Sequence, residues 1–356
     1  MSDLVGKDRD EMTLVIENRE IVVESSRLLK TMDTCAFAYT ATMPWIPGLD
    51  PDIDDKTRPY GYQEAEIYIA GKSVMKGILY NVTHAKEETR IYKNLEIYSK
   101  TADVIDSSVR FPFEENNVDF YERCLSMMNS TVSQRQFDID VVIDDGVDVG
   151  GKFARVSAEQ TDNLFEHLRD LASQRGLLLS CTPGGDLLIT RAKTGSAPVG
   201  TITDITGIVE KYEAEFNGRE RFKFYEAISS SSRSDRTKRK SQASDLVVTR
   251  PRFLTFNATQ SLPGEGLNAA LWRRNKSAAD ALSIPLPTNT WYAPNGTLWD
   301  KNTTLNLQDE IISENGFTFL INQVEFVYEE NGTTANLQLI PPSLYTTGEI
   351  KEPWQN

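Results

Sequence analysis

Catalysis in this chain would have to be built from few residues. Only two histidines occur, His84 and His167. His167 falls beside the apolar stripe of Leu164, Leu168 and Leu171, with no nucleophile or metal partner at a recognisable spacing, so it reads as a packing residue. His84 closes a strand-like run and reads the same way. Two acidic runs invite a cation. Asp50, Asp52, Asp54 and Asp55 lie in the proline-bearing stretch 43–60, which is read as a solvated loop. Asp138, Asp140, Asp144, Asp145 and Asp148 suggest a calcium loop, but with Asp138 first, Val142 stands where an oxygen ligand is needed. A turn at Asp144-Asp145-Gly146 explains that run more simply. Cys35, Cys124 and Cys181 are far apart, odd in number and in apolar surroundings, which predicts packed thiols rather than a disulfide or a metal knuckle.

No Gly-x-Ser-x-Gly elbow, phosphate loop or His-Glu-x-x-His helix is present. With 52 acidic residues, no carboxylate pair can be singled out for glycoside hydrolysis. The expectation is therefore no catalytic residue, no cofactor and no metal. The same 52 acids against 38 bases leave a charge of −14, the wrong sign for gripping phosphate. Such a surface suits one that DNA passes without sticking, because retention relies on cations that release counterions. No leader-like segment or run of ~20 apolar residues appears, so a cytosolic product is expected.

The elements that must position these residues follow from period. Within 356 residues, room for roughly two or three domains, the first hundred alternate apolar and polar positions at Thr13–Ile16, Ile21–Val23, Ala36–Thr42, Glu66–Ile69, Val74–Tyr80 and Ile91–Tyr98. These are predicted strands of a small barrel or sandwich. From about 111 to 191 helix and strand mix. Phe120, Tyr121, Cys124, Leu125 and Met128 share one helical face, and a second helix is predicted from a capping box at Ser157 and Gln160 to Gly176. Leu177–Ser180 and Leu187–Thr190 read as a hairpin. Ser229–Ser244, with Arg233, Arg236, Lys238, Arg239 and Lys240, reads as a mobile basic loop. A helix is predicted from Leu267 to about Leu282, and a hairpin from Phe317 to Ile340 turning at Asn331-Gly332. No repeat is visible at the level of residue identity.

Several segments, taken in order, resemble the Mu-type baseplate hub family of contractile phage tails, the relatives of tail protein P. Leu14 to Glu20 is similar to its first hairpin, Val74 to Leu79 to a strand ending in a glycine-marked turn, and Ser99 to Ser108 to the signature after the first barrel. Ile97, Tyr98 and Ser107 depart from that signature. The helix Glu159 to Arg175 with Gly185 to Arg191 is similar to the middle module. The best match is C-terminal: Arg250 to Leu254, Ala270 to Arg274, Gly296 to Trp299 with Asn302, then Phe319 to Ile321 with Val324 and Phe326.

The resemblance implies an α+β chain of β-barrel, tube-like modules with inserted mixed α/β modules. Residues 1–105 would form the first barrel, 106–200 an α/β module, 201–235 with 305–346 the second barrel, 236–304 an α/β insertion carrying the basic loop, and 347–356 a tail. It also implies a homotrimer in the virion baseplate, assembled in the host bacterial cytoplasm, whose six quasi-equivalent modules surround a channel. That ring would join the hexameric tail tube, or its initiator proteins, to the central spike protein beside other baseplate proteins. DNA would be met only in transit, and no membrane insertion is expected. Two alternatives stand beside it: a tail-associated cell-wall hydrolase, which predicts peptidoglycan release, and a carbohydrate-binding module using Trp291, Tyr292 and Trp299.

Overall fold

Alternating side chains give most of the ladder. The structure, a computed structural model, describes residues 10–128, 137–203, 205–209, 211–230, 238–258, 265–330 and 332–354. Strands β1 (Met12–Ile16), β2 (Arg19–Ile21), β3 (Ser25–Thr31) and β4 (Ala38–Pro44) precede the short helix α1 (Pro51–Lys56), and β5 (Glu64–Ile69), β6 (Lys72–Lys86) and β7 (Ile91–Ser99) follow it. Next come α2 (Ala102–Asp106), β8 (Glu114–Val118), α3 (Phe120–Met128), β9 (Val141–Ile143), β10 (Phe153–Ser157), α4 (Leu164–Ser173), β11 (Leu178–Cys181) and β12 (Leu187–Thr190). The rest holds β13 (Thr201–Ile202), β14 (Glu215–Phe216), β15 (Phe224–Ser230), β16 (Lys238–Ser244), β17 (Phe253–Asn257), α5 (Glu265–Asp280), β18 (Leu282–Thr288), β19 (Thr304–Asp309), β20 (Ser313–Glu329) and β21 (Gly332–Ile340). Antiparallel sheet dominates, with few helices. No helix among the described residues is long and apolar enough to cross a membrane.

One sheet runs through both ends of the chain, in the order β2-β1-β5-β6-β7-β4-β3-β20-β21-β18-β14, with β19 on β20 and β13 on β19. The halves are joined where β3 pairs antiparallel with β20, Leu28 opposite Phe326 and Lys30 opposite Val324. Leu282–Thr288, within the span 236–304 expected as an insertion, pairs with β21 in this sheet. The buried faces of both halves meet in one apolar cluster, from Leu14, Ile67 and Leu95 to Trp291, Phe319 and Leu339.

The two halves contain the same unit. In the first, β5, β6 and β7 have 6, 15 and 9 residues; in the second, β19, β20 and β21 have 6, 17 and 9. Each is an antiparallel meander whose long middle strand carries a bulge, between Leu79 and Asn81 in β6 and between Ile321 and Gln323 in β20. Each last strand is flanked by one more, β4 on β7 and β18 on β21. A bulge adds one residue and sharpens the local twist, so both meanders bend at corresponding places.

Two smaller modules interrupt this sheet. The middle one packs α3 and α4 with β8–β12 around Phe120, Phe153, Leu164, Leu168 and Leu187. The other packs α5 on the sheet β16-β15-β17 through Tyr225, Ala227, Ala243 and Ala270.

Five local expectations need correction. Ser157 ends β10 opposite Glu114 instead of capping a helix, and Asn163 caps α4 by accepting the Glu166 N–H at 3.0 Å. Residues 51–56 are helical rather than loop, because Asp50 accepts the N–H groups of Asp52 and Ile53 and Pro51 fits the first turn. Lys238–Ser244 is a strand on β15, not a loop; Arg233 and Arg236 lie outside the described residues. The last predicted helix ends at Asp280, since Leu282 already belongs to β18. Gly77 stands inside β6, not at a turn: a Cβ there would lie 2.2 Å from the Tyr98 carbonyl oxygen. Gly176, with φ +63°, follows α4 as expected. The turn residue Asn331 is outside the described residues, and Gly332 beyond it has φ +126°.

Candidate assembly surface

Most of the residues singled out for chemistry are occupied structurally. His167 accepts at Nε2 from Arg123 Nη2, 3.2 Å away, and the fully buried Arg123 donates from Nη1 to Glu115 (2.7 Å) and the Pro112 carbonyl (2.9 Å). Burial, with the Arg123 charge, pushes the His167 pKa down to about 4. A neutral imidazole thus links α4 to α3 and, through Arg123, to β8. Below pH 6.5 the unfolded chain takes up a proton that the folded chain refuses until about 4, so stability is lost as pH falls through that window. His167→Gln should remove about 2 kcal/mol of that acid sensitivity, read as a flatter urea-unfolding profile between pH 7 and 4.5. An unchanged profile would show that His167 is not held neutral.

His84 packs its ring on Trp45, centroids 4.6 Å apart. Asp54 accepts the Trp45 indole N–H (2.5 Å) and the Gly48 N–H (2.8 Å), which hold its carboxyl below the usual range, and Lys93 Nζ lies 3.8 Å away. Asp144 accepts from Thr190 Oγ1 (2.7 Å) and pairs with Lys193 (3.0 Å) in the predicted turn. No group of three or more metal-ligating side chains occurs among the described residues. Cys35, Cys124 and Cys181 are free and buried. Trp291 and Trp299 are sealed in the core and donate their indole N–H groups to backbone carbonyls, so neither presents a face for a sugar.

One pair escaped the sequence. Lys301 Nζ donates to Ser180 Oγ at 2.6 Å, and burial draws the lysine pKa down to about 8. A lysine beside a serine is a nucleophile's arrangement, but Ser180 is only 3% exposed and Lys301 lies over the Phe37 ring at 5.0 Å. The pair ties β11 to the loop after Trp299. Its members are 121 residues apart, too far for any spacing motif.

What lies open instead is the outer face of the sheet. Leu28, Tyr39, Leu95, Ile97, Val324, Phe326, Leu337 and Leu339 point into the core, so their alternates face away from it. In the first half Thr42 stands opposite Asn94 and Asn94 opposite Thr83, while Thr40 stands opposite Glu96 and Glu96 opposite Asn81. In the second half Gln323 faces Gln338 and Glu325 faces Asn336. Arg27 on β3 joins the two, opposite Thr40 and Val327. Hydroxyls and amides dominate and bond along the face: Thr42 Oγ1 to Asn94 Oδ1 at 3.0 Å, Asn336 Nδ2 to Glu325 at 2.8 Å. Its arginine is spoken for, 3.1 Å from Glu329 and 4.0 Å from Glu325. At one end an open groove of about 1250 Å³ is lined by Asp10, Glu24, Glu329 and Glu330, with Arg90 paired to Glu24. The surface is polar and weakly acidic on both sides of the seam, where Leu29 and the buried Val327 interrupt it.

No family model and no curated protein sequence matches the chain. Solved structures do. The 43 kDa tail protein of prophage MuSo2 from Shewanella oneidensis superposes with a TM-score of 0.78 at 23% identity, covering 94% of this chain and 100% of its own. The tail protein from Neisseria meningitidis MC58 gives 0.78 at 17% identity, covering 94% and 98%. The E. coli c3393 protein, a type VI secretion component described as structurally similar to the T4 tail proteins gp27 and gp5, gives 0.59 at 12% identity, covering 95% and 79%. The resemblance read from the sequence is thus carried by the tertiary structure, and the fold of this chain is that of the Mu-like prophage tail proteins.

Proposed function

We propose that this chain is a structural protein of a contractile phage tail, a baseplate hub whose copies close into a trimeric ring between the hexameric tail tube and the trimeric central spike. The observation that carries this reading is the repeated meander, β5-β6-β7 and β19-β20-β21, fused edge to edge at β3–β20. One chain with two like units lets a threefold ring offer six similar positions, which adapts one symmetry to the other. Each unit acts as a tube-like β-barrel module in that ring. Heterologous contacts that close on themselves also cover sheet edges that an isolated copy leaves open at β2 and β14.

The outer face then serves as the wall of the channel. Threonine, asparagine and glutamine with a small acidic excess give DNA phosphates few cations to condense on, so the genome slides without being held. The fold neighbours support a role in tail architecture. The protein's place is the virion baseplate, with spike, tube-initiator and other baseplate proteins as partners and DNA as a passing cargo.

A reconstruction of the purified oligomer tests this. Expected are threefold symmetry, six meanders about the axis and an opening wide enough for duplex DNA, lined by Asn94, Glu96, Glu325 and Asn336. A solid particle, a ring of different symmetry, or a lumen lined by Lys and Arg would overturn it.

A further inference from the structure

The sheet β16-β15-β17 ends on β17, whose far side bonds to no described residue. The Arg252 carbonyl accepts from the Phe224 N–H at 3.1 Å and the Ala258 N–H donates to the Ile228 carbonyl at 2.8 Å, so even-numbered positions face β15. The strand's period of two then turns the N–H and C=O of Phe253, Thr255 and Asn257 outward. The side chains of those three are exposed, while Leu254 and Phe256 pack toward α5. Native sheets commonly blunt such an edge with lysine, proline or a bulge. Phe-Leu-Thr-Phe-Asn contains neither residue, and its pairing with β15 runs without a register shift.

The edge leads into a cleft of about 150 Å³ between β17, α5 and α4. Two polar atoms in residues lining it, Trp272 Nε1 and Gln174 Oε1, are buried without a hydrogen-bond partner among the described residues. One donates and the other accepts, which complements the C=O and N–H of a peptide unit. The sequence of this module is basic. Residues 218–280 contain 13 Lys and Arg against 6 Asp and Glu, the reverse of the chain's 38 against 52. Arg250 precedes the strand and Arg273 lines the cleft, both exposed; Asp170, the cleft's carboxylate, has Arg169 and Arg273 near it on one hand and Glu166 and Asp162 on the other.

We propose that β17 is a strand-addition site for an extended, acidic segment of another polypeptide, with Trp272 and Gln174 bonding the peptide groups that enter the cleft. Backbone pairing supplies the attachment, and the arginines select the charge. The assignment does not depend on ring closure.

The test uses the full chain and two fluorescein-labelled peptides, Glu-Val-Glu-Val-Glu-Val-Glu and its lysine counterpart, read by anisotropy. The acidic peptide should bind about tenfold more tightly than the basic one. Thr255→Pro, which removes an outward N–H without touching the β15 ladder, should weaken it at least about tenfold. Arg250→Glu combined with Arg273→Glu changes only exposed side chains and should reverse the preference, which keeps the test valid if the proline variant misfolds. Bound peptide should slow amide exchange at Phe253, Thr255 and Asn257 but not at Leu254 or Phe256. Absence of binding, equal binding of both peptides, or protection elsewhere overturns the proposal. So does self-association that Thr255→Pro abolishes, which would give the edge to a second copy.

Discussion

Trp291→Ala is expected to lower folding stability by about 3–5 kcal/mol, seen as a fall in the urea midpoint with little change in slope. Trp291 is fully buried, packs edge-on against Phe326 with centroids 6.1 Å apart, and donates its indole N–H to the carbonyls of Thr334 (2.9 Å) and Val327 (3.3 Å). Truncation leaves a cavity too large for neighbouring strands to close and strips both carbonyls of that donor. Because Thr334 and Val327 face each other across β20 and β21, the damage falls on the second meander. On the hub reading, ring formation should fail in this variant even where the first half stays folded. Leu246→Ala, at an 89% exposed position, is the control and should stay within about 0.5 kcal/mol. A Trp291 variant as stable as that control would mean that the 289–299 loop does not lock the hairpin.

Arg221→Ala should cost a similar amount, about 3–5 kcal/mol, for a different reason. Arg221 Nε and Nη2 donate to the two Asp245 oxygens at 2.9 and 3.1 Å, and Nη1 to Glu352 at 2.6 Å, all with side chains under a tenth exposed. Removing the cation leaves two carboxylates buried without it, and their desolvation is no longer offset. The triad holds the C-terminal residues against the loops that flank β15 and β16, and Trp354 meets Phe216 of β14 at 5.4 Å. Cleavage near Glu352 by a limiting protease should therefore quicken in Arg221→Ala and stay slow in Glu352→Gln, which keeps an acceptor and the volume. Equal cleavage in wild type and Arg221→Ala would show that the triad does not pin this segment.

Much of the architecture was legible in the residues. Strand alternation placed Ile91–Tyr98 against the observed Ile91–Ser99, and the apolar stripe of Leu164, Leu168 and Leu171 placed α4. Its start was misjudged because two capping patterns stand in tandem, Ser157 with Gln160 and Asn163 with Glu166; Ser157 is claimed by its ladder with Glu114, which no local rule foresees. The charge of Lys238–Lys240 masked a strand whose partner, β15, supplies the apolar half. The reading of His167 and the cysteines as packing residues followed from their neighbours in sequence. Arg123, which adds to burial in holding His167 neutral, did not, since it comes from another helix 44 residues away.

By itself the sequence determined which faces are apolar, where turns fall and the chain's acidic charge, because these depend on side chains a few positions apart. Only the tertiary structure decided that β3 joins β20, which strands make up the two like meanders, and that Arg221 meets Glu352. Those choices are made by backbone hydrogen bonds and by contacts across long loops. A ladder accepts any side chains with the right alternation, so its partners leave no signature in residue identity.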